Sequence, residues 1–202
     1  MKNAFYTCGY VLHANFYVKN YLRHSCVKGK LKIYLLYIQP PLVRDEKYKL
    51  ALLPSYLAAV QNSVGSKVFR NLYFLEQGKP VDVLRNGDLS CAHFVSFILH
   101  HFGLVSHPHT TVRGVLKDLI KNNWHEIKKK RTGAIIVYEN IYFPSSGENH
   151  MHIGFYVGRG NTISTSPRKK MPILHGWDRD AGTGKPRKAV KMLWHRRLGV
   201  LK

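Results

Sequence analysis

Acidic side chains are scarce in this chain of 202 residues: eleven Asp and Glu stand against 32 Lys and Arg. The formal charge is +21 with histidines neutral, and the pI is near 10.1. Such a field attracts polyanions, whether nucleic acid, anionic lipid surfaces or the anionic polymers of a bacterial wall, and does not choose among them. Cysteine is equally sparse. Three residues, Cys8, Cys26 and Cys91, cannot form a disulfide framework, which excludes a stapled miniprotein. No apolar run approaches the roughly 18 residues of a membrane-spanning helix. The most apolar stretch, Leu31 to Ile38, is short and stops at Pro40-Pro41. Neither CxxC nor HExxH occurs, so the strongest zinc signatures are missing. Apolar residues are not scarce: they make up 45% of the chain, with twelve Tyr and nine Phe, and this excludes a disordered tail.

The amino terminus carries no legible signal peptide. Sixteen uncharged residues, Asn3 to Val18, follow Lys2, but they include Tyr, His, Thr and Asn, and no small-x-small cleavage site comes after them. Free thiols then point to a reducing compartment, cytoplasmic on the sequence alone. Residues 1–45 form a Tyr- and Lys-rich extension of unreadable role that ends in the extended break Gln39-Pro40-Pro41. A regular domain is expected over 46–202. Pro54 suits the first turn of a helix, with Leu53, Leu57, Val60 and Val64 at helical spacing behind it. Asn86-Gly87-Asp88 reads as a turn, and Ser90 or Asp88 is expected to cap a buried helix from Cys91 to Phe102, stopped by Gly103. A second helix, Thr111 to Asn122, carries the stripe Val112, Val115, Leu116, Leu119 and Ile120.

Beyond Gly133 the period becomes that of strands. Ala134 to Tyr138 reads as buried, Pro144 to Gly147 as a loop, and His150 to Val157 as an alternating strand. Met151, Ile153, Phe155 and Val157 share one face of that strand; His150, His152, Gly154 and Tyr156 share the other. Gly158 to Asn161 predicts a hairpin into Thr162 to Thr165, and Val190, Met192 and Trp194 alternate in a last strand. Helices followed by strands predict an α+β fold, helices packed on an antiparallel sheet.

Cys91 starts a buried helix, where the macrodipole and free N–H groups favour thiolate, and a neighbouring imidazolium would deepen that preference. The same N–H groups could hold an oxyanion. His152 shares its strand face with Gly154, whose missing side chain is expected to leave room for a helix end. A histidine so placed could take the thiol proton and return it to a leaving amine.

These segments resemble the NlpC-type peptidases, papain-like enzymes that cut bacterial cell-wall peptides. Gly87-Asp88-Leu89-Ser90-Cys91-Ala92-His93-Phe94-Val95 is similar to their nucleophile helix, and Thr132 to Tyr138 to their Pro-Gly-Asp strand. His152-Ile153-Gly154-Phe155-Tyr156-Val157-Gly158 resembles their His-Val-Gly-Ile-Tyr-x-Gly strand. The likeness covers residues 85–166. It implies a papain-like fold and a thiol hydrolase acting on amide bonds without a cofactor, with Cys91 as nucleophile and His152 as base. Ser90 stands where the family usually has Asp, and Ala92 where it commonly has Ser. The family's third polar residue aligns with Ser164; His175, reached from the following loop, is the alternative, and a backbone carbonyl is a third.

Three rival readings accompany this one. His150 and His152, with Cys91, Glu148 or His175, could hold zinc. Basic clusters at 128–131, 168–170, 185–188 and 195–197 could serve a nucleic-acid module, though the aromatic residues fall in apolar periodic runs rather than as stacking platforms. A papain-like fold without catalysis could bind anionic polymers through the same clusters. Peptide or peptidoglycan fragments are the expected partners of the enzyme, and a wall substrate would place it in the envelope or outside the cell.

Overall fold

The computed structural model describes residues 48–143 and 146–199, together with two strands nearer the amino terminus. These two, β1 (Arg23–Val27) and β2 (Lys30–Tyr34), pair antiparallel with Arg23 opposite Tyr34. They belong to one compact unit, Met1–Lys49; the second unit is Leu50–Lys202. Cys8 and the break expected at Gln39-Pro40-Pro41 lie outside the described residues, as do Pro144 and Ser145 of the expected loop.

The second unit begins with α1 (Leu52–Asn62), which accepts Pro54 in its first turn because no intrahelical bond needs that N–H. Its inner face differs from the expected stripe. Tyr56 and Val60 are fully buried, Leu53 and Leu57 only partly, and Val64 lies beyond the helix and is exposed. Tyr56 reaches the core because its hydroxyl donates to the Gly133 carbonyl at 3.0 Å, while its ring meets Phe102 and Phe155 edge-on. A hairpin then forms from β3 (Tyr73–Glu76) and β4 (Lys79–Asp82). The Asp82 carboxylate ties its base by accepting from Asn71 Nδ2 and the N–H groups of Leu72, Leu84 and Asn86.

Next come α2 (Cys91–His101) and α3 (Val112–Lys121). Most of α2 is buried, as its composition requires, and only Phe97 and the terminal histidines face outward. Thr111 caps α3 by accepting from Gly114 N–H at 3.1 Å. Ile120, expected on the inner stripe, is 68% exposed, so the buried face ends at Val112, Val115 and Leu119. The strands β5 (Trp124–Glu126), β6 (Ile135–Phe143), β7 (Glu148–Gly158), β8 (Asn161–Ser166), β9 (Met171–Gly176) and β10 (Ala189–His195) make one sheet, ordered β5-β10-β6-β7-β8-β9. Every pairing in it is antiparallel, so the fold is α+β. The β7–β8 turn, Arg159-Gly160, has positive φ at both residues, the geometry that two-residue hairpins favour. In β10 a bulge between Ala189 and Lys191 breaks the expected alternation: Val190 is exposed, and Leu193, Trp194 and His195 are all buried.

The two faces of the sheet differ in chemistry. Ile135, Val137, Ile153, Phe155 and Ile163 share one face, onto which the helices pack through Phe94 and Tyr56. Tyr138, His152, Gly154, Thr162, Ser164 and His175 share the other, because directly paired residues point the same way. Segment 177–188 covers this polar face, tied down by Arg187. No helix of the described residues is long and apolar enough to cross a membrane.

Candidate active site

Cys91 is the first residue of α2 and a free thiol. Neither expected cap operates there. Ser90 occupies the cap position, but its hydroxyl donates backward to the Gly87 carbonyl at 2.9 Å, and the Asp88 carboxylate is drawn into an ion pair with Lys170. The first-turn N–H groups of α2 are therefore not consumed by a capping side chain. Those of Cys91 and Ala92, with the Ile153 N–H, face the sulfur and favour its thiolate, as does the buried Arg187 cation. Burial outweighs them and leaves the thiol above its ordinary pKa. The expected resting thiolate is thus corrected: desolvation exceeds the pull of the helix end.

His152 lies on β7 and is 5% exposed. Burial foremost, and then Arg187 and His175, push its pKa down to about 3. Thiol and imidazole are both neutral at rest. They line one cleft of about 460 Å³, walled also by Leu89, Thr111, Arg113, Phe143 and Met151. No hydrogen bond joins the Cys91 sulfur to the imidazole among the described residues.

Gly154 serves a different neighbour from the one expected. A Cβ there would lie 2.7 Å from Ser164 Cβ and 2.9 Å from the Ile163 carbonyl oxygen, so the missing side chain admits β8 rather than a helix end. That close approach brings Ser164 Oγ to 2.8 Å from His152 Nε2. Ser164 Oγ is also 2.7 Å from His175 Nε2, and His175 Nδ1 is 2.9 Å from the Gly176 carbonyl oxygen. His175 stands on strand β9, not in a loop. The three alternatives for an orienting group, Ser164, His175 and a backbone carbonyl, are arranged in series.

The series assigns the tautomers. A carbonyl oxygen only accepts, so neutral His175 carries its proton on Nδ1 and offers Nε2 as acceptor. Ser164 then donates to His175 and accepts from His152, which must carry its proton on Nε2. The Nδ1 lone pair of His152 is left free.

Two residues to which the sequence reading gave no role in the site support this cluster, and one of them, Arg187, stood there only as a member of the basic cluster 185–188. Arg187, 2% exposed, pairs with Asp180 at 2.8 Å and donates to the carbonyls of Glu139 and His150 at 3.0 and 2.9 Å. It thereby holds the register shift between Tyr138 and Ile141, just where β7 delivers His152. Asp180 also accepts from the Gly182 and Thr183 N–H groups, which order the covering segment. A signal was present: in a chain so poor in acids, Asp178 and Asp180 stand two positions apart. The zinc alternative finds no support: among the described residues no three His, Cys, Asp or Glu side chains are grouped to hold a metal. His150 is engaged with Ser146 Oγ at 2.6 Å. No protein-family model matches this chain, and no curated protein matches it.

Proposed function

We propose that this chain is a cysteine hydrolase, an endopeptidase or amidase that cleaves amide bonds through an acyl-enzyme. The observation that carries the reading is one cleft lined by Cys91, at a helix N-terminus, and by His152, whose Nε2 is held by Ser164. The sequence resemblance to NlpC-type peptidases supports a papain-like arrangement of helix and sheet and makes peptidoglycan-type peptides the proposed substrate class.

In this mechanism a substrate carbonyl seated in the cleft displaces water from the thiol. Cys91 gives its proton to His152 Nδ1 as the sulfur attacks, and a tetrahedral oxyanion forms. N–H groups of the first α2 turn, left without a capping side chain, are the donors available to that oxyanion. His152 returns the proton to the departing amine, leaving a thioester. It then takes a proton from water, which attacks the thioester; the sulfur departs, takes that proton back from His152, and the acid is released. Two neutral partners at rest suit this order, because charge separation need occur only when substrate excludes solvent.

A peptidyl chloromethyl ketone, which seats a carbonyl in the cleft as a substrate would, is expected to alkylate Cys91 near pH 7 much faster than Cys8 or Cys26. Digestion of purified peptidoglycan fragments is expected to yield amide-cleaved products by mass, lost in Cys91→Ser. Slow, equal labelling of all three thiols would sink the hydrolase reading. It would favour a second reading, a non-catalytic fold that binds anionic polymers through its basic clusters. The raised thiol pKa and the absent thiol–imidazole hydrogen bond are the observations on that side.

A further inference from the structure

We infer that His152, Ser164 and His175 form a proton relay, in which the proton taken from Cys91 leaves His152 and comes to rest on His175. The inference builds on the hydrolase reading and identifies the group that stores charge during attack. Its basis is the unbroken series His152 Nε2, Ser164 Oγ, His175 Nε2, with spacings of 2.8 and 2.7 Å, closed by His175 Nδ1 on the Gly176 carbonyl at 2.9 Å. A hydroxyl between two imidazole nitrogens can donate to one while accepting from the other, and can exchange those roles.

The steps balance. Proton arrival at His152 Nδ1 makes an imidazolium. Its Nε2 proton passes to Ser164 Oγ as the serine proton passes to His175 Nε2. His152 returns to neutrality as the Nδ1–H tautomer, Ser164 is again a hydroxyl, now donating to His152, and His175 is the imidazolium. Each N–H of that imidazolium keeps an acceptor, Ser164 Oγ on one side and the Gly176 carbonyl on the other. Return of the proton to the leaving amine runs the chain backward.

The surroundings of the two rings set the direction. Around His152, the Arg187 guanidinium is fixed on the His150 carbonyl two residues away, and it opposes a second cation. Burial opposes charge on both rings and the Asp180 carboxylate favours it on both; His175 alone has in addition a carbonyl acceptor, that of Gly176, which favours its charged form. Tyr138, from β6, faces both rings at centroid distances of 5.8 and 6.4 Å, with a hydroxyl that stays neutral because burial raises its pKa to about 12. A positive charge is therefore better placed at the far end of the chain than at its start.

The experiment is NMR of the imidazole nitrogens in the full chain labelled with ¹⁵N-histidine, followed from neutral to acidic pH. At pH 7.5, His152 is expected to be protonated on Nε2 and His175 on Nδ1. As His175 gains its second proton, His152 is expected to switch from Nε2–H to Nδ1–H at the same midpoint, and Ser164→Ala is expected to abolish the switch. His152 found as Nδ1–H at pH 7.5, or His152 unchanged while His175 titrates, would overturn the relay. A second measurement uses the same peptidyl chloromethyl ketone at pH 7: His175→Gln, which cannot take the proton, is expected to slow Cys91 alkylation at least tenfold. Fast labelling of wild-type Cys91 and of His175→Gln alike would overturn the relay and leave the hydrolase reading intact. A tautomer switch with a slowly labelling wild-type Cys91 would support the chain of proton transfers and remove the hydrolase reading.

Discussion

Gly154 shows how much of the candidate site depends on one missing atom. Its absent Cβ lets β8 come close enough for Ser164 to reach His152. In Gly154→Ala the new methyl would meet the Ile163 backbone at 2.9 Å, and the backbone cannot rotate away as a flexible side chain would. The expected cost is about 1–3 kcal/mol of stability in urea melts, together with slower alkylation of Cys91 as the serine is pushed off the imidazole. The histidines make a second prediction at this scale. Folded His152 ionises at about 3 against an ordinary 6.5, so above pH 6.5 both folded and unfolded chains hold it neutral and its full stability is present. As pH falls below 6.5 the unfolded chain binds a proton that the folded protein refuses, and stability drops by about 1.4 kcal/mol per pH unit from this residue. His93, His175 and His195 shift in the same direction, all led by burial. Urea midpoints are expected to fall from pH 7 to pH 5, and His152→Gln to flatten that dependence. The buried carboxylates act in a lower window: Asp118, held at about 2, loses its contribution only below its ordinary 3.8.

Elements differ in how strongly local chemistry specifies them. The start of α2, its stop at Gly103 and the alternation of β7 are visible in composition and spacing, since each depends on near neighbours along the chain. The β3–β4 hairpin and β9 are not, because Tyr73 to Glu76 and Met171 to Gly176 carry no clean apolar period; β9 becomes a strand by pairing with β8. Thr111→Ala removes the side-chain cap on the first turn of α3, and a loss of about 1 kcal/mol in thermal or urea unfolding is expected. The covering segment depends on a different interaction. Arg187→Ala would leave Asp180 buried without its cation and release two strand carbonyls at the β6–β7 register shift. A destabilisation of about 3–5 kcal/mol is expected. Arg187→Lys is expected to recover only part of it, since an ammonium lacks the planar fork that spans Asp180, Glu139 and His150.

The molecule as a whole carries 32 basic residues against eleven acidic ones, and this excess bears on association more than on fold. Retention on an anionic polymer is expected to weaken steeply with salt and to be unchanged in Cys91→Ser, since that substitution removes no positive charge. Retention insensitive to salt would remove the charge-based partner reading. The order of residues alone determines that a thiol opens a buried helix, that His152 and Gly154 share a strand face, and that the chain is α+β with a strongly positive field. Those properties follow from helical and strand periods and from charge, which are local or additive. The series of Ser164, His175 and the Gly176 carbonyl, the burial that keeps thiol and imidazole neutral, and the Arg187–Asp180 pair came from the packed molecule. Register between strands, desolvation and ion pairing depend on atoms brought together from distant parts of the chain, and no local pattern encodes their distances.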